Sequence, residues 1–88
     1  MKKAIITVVG KDTVGIIAKV CVYLAENQVN IMDISQTIVD GYFNMMMVVD
    51  VTNVEFDKVA NGLKEVGEEI GVIIRCQRED IFDKMHRI

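Results

Sequence analysis

The sequence predicts an α+β sandwich in the order β-α-β-β-α-β. Three observations carry that expectation. Residues 42–51 alternate, with Phe43, Met45, Met47, Val49 and Val51 on one parity, the period of a strand. Phe56, Val59, Leu63, Val66 and Ile70 recur at the three- and four-residue steps of a single helical face. Asp40-Gly41 stands between two β-rich runs, where a tight primed turn needs positive φ at both positions.

Composition bounds what such a domain does. At 88 residues the chain is long enough for one small domain and too short for two. Its hydrophobic fraction of 51% supplies a core, so disorder is not expected. A net charge of -3 argues against nucleic acid, which needs a basic patch. No apolar run approaches the roughly 20 residues of a membrane span. The opening lysines precede an apolar run that breaks at Gly10-Lys11-Asp12, so it does not read as a signal peptide. Cys21 and Cys76 lie far apart without metal-ligand spacing. A reduced, cytoplasmic chain with free thiols and neither metal nor cofactor is the expectation.

The first strand is expected over residues 3–9, where Ile5, Ile6, Val8 and Val9 are β-branched. Apolar character on both parities marks a central strand. A helix over 13–26 follows from Ile16, Ile17, Val20 and Leu24, and Asn27-Gln28 ends it. Cys21 inside it reads as a small packed residue rather than a nucleophile. In the second strand, 30–39, Met32, Ile34 and Ile38 share a parity opposite Asp33, Ser35 and Thr37, which implies one buried and one polar face. Gln36 breaks the apolar parity, through either a bulge or a hydrogen-bonded partner. The third strand carries Met46 and Val48 on its second face, so a subunit or ligand is expected to cover them.

Thr52 and Glu55 are spaced as a capping box, with Val51 and Phe56 placed as its hydrophobic staple. The second helix contains Gly62 and Gly67, each costing about 1 kcal/mol against alanine; close packing on the sheet justifies one of them. Gly71 suits the C-terminal cap, and 72–77 is the fourth strand. Residues 1–77 then form the domain and 78–88 a short amphipathic helical tail. Its stripe of Ile81, Phe82, Met85 and Ile88 needs a surface to dock on. His86 reads as a surface residue. With right-handed β-α-β crossovers the order gives a ferredoxin-like sandwich: a four-stranded antiparallel sheet with two helices on one face, plus the C-terminal helix.

That architecture hosts many activities, and the chemistry must decide among them. The first loop lacks the arginine of an acylphosphatase-like enzyme and the Cys-x-x-Cys of a metal chaperone. Strand three lacks the basic and aromatic surface of an RNA reader. There is no Ser/His/Asp set and no phosphate-binding glycine loop of the nucleotide-hydrolase type. The chain reads as not an enzyme.

The organising stretch is Gly10-Lys11-Asp12-Thr13-Val14-Gly15-Ile16, where the first strand becomes the first helix. Two readings stand side by side. In one, Asp12 or Thr13 caps the helix and the glycines only turn the chain. In the other, the N–H groups of the helix start seat a carboxylate or another small anion. Gly15 is expected to open the helix with helical backbone, so that alanine there is mild.

This loop with Ile17-Ala18, then Leu24-Ala25-Glu26, Asn30-Ile31-Met32-Asp33 and Gln36, resembles an ACT domain. The likeness is to the variety found in formyltetrahydrofolate hydrolases and the glycine-cleavage regulator, and the tail resembles that of small stand-alone members. It covers essentially the whole chain. Many members place proline before the second glycine; Val14 stands there in this chain and leaves the loop less rigid. The resemblance implies a regulatory module that binds an amino acid or related metabolite. The implied pocket comprises Gly10, Lys11, Asp12, Thr13, Val14, Gly15 and Ile16 with Asn30 and Ile31, usually at a subunit interface. A homodimer or higher oligomer is expected, with no nucleic-acid or membrane partner. The alternative is a non-sensing dimerisation or docking module whose loop is structural.

Overall fold

The computed structural model describes residues 2–11 and 15–79. Its elements are β1 (Lys3–Lys11), α1 (Ile16–Glu26), β2 (Asn30–Val39), β3 (Tyr42–Asp50), α2 (Phe56–Ile70) and β4 (Ile73–Arg78). The strands form one antiparallel sheet in the order β2-β3-β1-β4. This is the expected ferredoxin-like arrangement, with β1 central. β1 runs two residues past its expected end because Gly10 and Lys11 pair with Phe43 and Tyr42.

Alternation decides which side of the sheet is dry. Ala4, Ile6, Val8, Met45, Met47 and Val49 face the helices and join Val20, Leu24, Val59 and Leu63 in the core. The opposite parity, with Ile5, Thr7, Val9, Met46, Val48 and Ile73, forms the open face. The Asp40-Gly41 turn has φ of 53 and 82, the double positive that a primed hairpin requires. Gly71 caps α2 with φ 75.

Four expectations are corrected. α1 begins at Ile16, not at residue 13, and Gly15 is its N-cap with φ 100. The capping box does not form: α2 starts at Phe56 with Glu55 as N-cap and no side-chain cap bond. Thr52 is committed elsewhere. Its N–H and hydroxyl donate to the Asp50 carboxylate, and its Oγ1 accepts from the Lys2 N–H at 2.9 Å. β2 has no buried face; all ten of its residues are exposed. It is an edge strand, and α1 stands off it across a cleft. The bulge falls between Ile31 and Asp33, while Gln36 pairs in register with Met45.

Both glycines of α2 have a packing reason. A Cβ on Gly62 would lie 2.6 Å from Tyr23 Cζ, and one on Gly67 would lie 2.8 Å from the Val72 carbonyl oxygen. The close approach at Gly62 goes with the Tyr23 hydroxyl donating to the Val59 carbonyl at 3.2 Å, which ties α1 to α2. Lys19 and Glu69 add an exposed ion pair at 3.4 Å, worth at most about 1 kcal/mol.

Burial pushes the Cys76 thiol up to about 11. Burial, followed by the charges of Glu65 and Cys76, also raises the Tyr23 hydroxyl. The unfolded thiol therefore loses its proton first as pH rises. The Cys76 contribution to stability is expected to fall from around pH 9.0 and to level off above about 11, with Tyr23 lowering stability in the same direction. Melting temperatures across that window check this, and Cys76→Val should flatten the slope.

Candidate functional site

The β1–α1 junction is built by Gly15. At φ 100 it occupies the left-handed region, which costs other residues roughly 1–2 kcal/mol. Having no side chain, it leaves the opening N–H groups of α1 uncapped from the N-cap position. Its carbonyl accepts the Lys19 N–H at 2.9 Å, and Ile16 buries at once beneath the helix. Space around Gly15 is open, with nothing within 4 Å of a Cβ placed there. The expectation of a mild Gly15→Ala is therefore overturned by backbone angle, not by crowding. Urea melts should show Gly15→Ala destabilised by about 1–2 kcal/mol, with Gly15→Asn recovering part of the loss because asparagine tolerates this conformation.

The expected site residues separate. Gly10 and Lys11 close β1, Gly15 and Ile16 open α1, and Asp12, Thr13 and Val14 lie outside the described residues. Asn30 and Ile31 sit at the far end of the sheet: Asn30 pairs with Asp50, which pairs with Lys3. The length of β1 between those ends is about 23 Å at about 3.3 Å per residue. One chain does not bring the two groups together.

Among the described residues, two clefts lie beside the junction instead. One, of about 460 Å³, lies between α1 and β2 and is lined by Ile17, Gln36, Thr37, Ile38 and Phe43. The other, of about 420 Å³, lies by the open face and is lined by Val9, Gly10, Lys11, Tyr42, Gly71, Val72 and Ile73. Neither holds a buried charged side chain, since no polar or charged residue is buried among the described residues. Such clefts suit a small, partly apolar molecule held by backbone groups, Gln36 or Lys11. Ile17, Thr37, Ile38 and Phe43 were not legible as site residues. Neither was Gln36, whose polar side chain on an apolar parity reads by sequence as a bulge or a hydrogen-bonded partner. No group of three or more potential metal ligands occurs among the described residues.

A family profile describing the ACT domain matches residues 2–77. The chain belongs to the ACT domain family. Its relatives include a UPF0237 protein of Bifidobacterium longum, 64% identical over the full length of both chains. Among solved structures, an ACT domain protein from Streptococcus pneumoniae is 46% identical, with a TM-score of 0.83 over 92% of this chain and 93% of that one. The regulatory subunit of aspartate kinase from Thermus thermophilus is 30% identical, with a TM-score of 0.64 over 84% of this chain and 50% of that one. The ACT domain described above is thus of a regulatory, small-molecule-binding kind. Among its described residues no helix is long and apolar enough to cross a membrane.

Proposed function

We propose that the chain is a non-enzymatic regulatory ACT module that binds an amino acid or related metabolite at the β1–α1 junction, across a homo-oligomer interface. One observation carries this reading: the bare β2 edge. It is ten residues long and exposed throughout, with Ile34 and Ile38 among its exposed apolar side chains. An unprotected apolar edge is a template for another strand. Antiparallel pairing of β2 with its copy sets Asn30 and Ile31 of one chain beside Ile38 and Val39 of the other. That is the end of the sheet where Gly10 and Lys11 lie. Such pairing brings to one end of the sheet residues that one chain holds at opposite ends, with β2 and β3 still between them, a gap of about 14 Å at about 4.8 Å per strand. The α1 start, to which Gly15 gives no side-chain cap, and the Lys11 ammonium supply an anion seat there, and Asn30 supplies an amide. Cys21 and Cys76 are unpaired, which supports a reducing, cytoplasmic setting.

A thermal-shift screen against amino acids and folates tests this, because a ligand of the native state raises the melting temperature. A shift is expected from at least one compound, and Asn30→Ala should abolish it. Ile34→Lys should abolish it as well and lower the sedimenting mass. A concentration-independent monomer mass would overturn the oligomer. The same β2 edge also serves the second reading, a non-sensing dimerisation module. A stable dimer that no compound in the screen stabilises would select it.

A further inference from the structure

The open face of the sheet is unevenly covered. Ile5 points away from the helices and stands outside the core cluster, yet it is only 8% exposed. Its register neighbours on that face are Val48 on β3 and Gln77 on β4; both are half-buried. At the other end of the same face the apolar side chains are wet: Val9 is 41% exposed and its register neighbour Ile73 is 62% exposed. Sheet geometry does not account for the difference, since Ile5 and Val9 both lie on central β1 between the same two neighbouring strands. The dry end is the one where β4 finishes, with Arg78 paired to Ala4. The chain therefore leaves the sheet beside Ile5 and continues into residues 80–88.

We propose that the open face around Ile5 and Val48 is a docking surface for residues 80–88 of the same chain. The sequence of that segment fits the surface in two respects. Ile81, Phe82, Met85 and Ile88 recur at helical spacing, an apolar stripe that matches the apolar floor of Ile5 and Val48. Lys84 and Arg87 stand off the stripe, and the sheet offers Asp33 and Asp50 on the open face around Val48. Nine residues span about 13 Å even if wound as a helix, enough to cover several strands at about 4.8 Å each. The functional consequence is that the Ile5 end of this face is occupied from within in each copy.

The chain contains no tryptophan, so Phe82→Trp in the full-length protein is a single reporter of where the segment lies. Emission blue-shifted from that of free tryptophan, unchanged on dilution, is expected. Val48→Asp should shift it back toward the water value. Val22→Asp, on the exposed outer side of α1, should not. The milder Val48→Ala gives a smaller shift in the same direction and serves if Val48→Asp fails to fold. Water-like emission in Phe82→Trp itself overturns the proposal. A blue shift that disappears on dilution overturns it in favour of a second copy on this face. A dilution-proof blue shift that neither Val48 variant moves shows that the segment docks elsewhere and equally overturns it.

Discussion

Leu63→Ala is expected to lower the unfolding free energy by about 2–5 kcal/mol. Leu63 is fully buried on the inner face of α2, within the same cluster as Val59, Met47 and Leu24. Truncation removes the transfer free energy of its side chain and leaves a cavity between helix and sheet. The site has little freedom to collapse. One residue before it, Gly62 sits tight against Tyr23, and four residues after it Gly67 sits against the Val72 carbonyl. Urea unfolding measures the effect as a lower midpoint at unchanged slope. Lys64→Ala, one position round the helix and exposed, should stay within about 0.5 kcal/mol. Equal midpoints for the two variants would mean that α2 does not pack as described.

Gly10→Ala should cost about 1–3 kcal/mol, the range for overpacking a filled interior. The resemblance places Gly10 in the expected site. The structure gives it another occupation. A Cβ there meets the Val72 side chain, lying 2.9 Å from Val72 Cβ and 3.4 Å from its Cα, so β1 or the Gly71–Val72 turn has to move. Gly10→Ala with Val72→Ala should recover much of the loss if crowding is the cause. Non-additivity of that kind is the signature of two residues in contact. Simple addition of the two losses would place the strain elsewhere.

The strands and both helices were legible because burial on one side imposes a period, and Phe43 to Val49 and Val59 to Leu63 obey it. The Asp40-Gly41 turn was legible because the backbone demands those residues. What was not legible has a common cause: local patterns name a partner without knowing what else competes for it. Thr52 has the spacing of a cap, but Asp50, two residues away and at the end of β3, takes its hydroxyl and N–H first. Ile34 and Ile38 carry the parity of a buried face, yet an edge strand under no helix leaves them wet. Gly15 falls within the expected helix, and its left-handed backbone places it just outside. For the site, Asn30 and Gly10 belong together by resemblance, while the register puts them at opposite ends of β1. Only the pairing of chains bears on whether they meet.

The order of strands in space has a consequence for how the chain comes to be folded. β1 is made first, yet both of its neighbours, β3 and β4, come after it, and β4 is the last strand of the sheet. During synthesis, β2 and β3 can zip through their own short turn as soon as they emerge, whereas Ile5, Ile6, Val8 and Val9 have neighbours on both sides only once residues 73–78 have left the ribosome. Central β1 thus waits the longest for its second neighbour. Closing the sheet depends on contacts between distant parts of the chain, which slows folding, and the waiting edge of β1 is where a nascent chain is most exposed to mispairing.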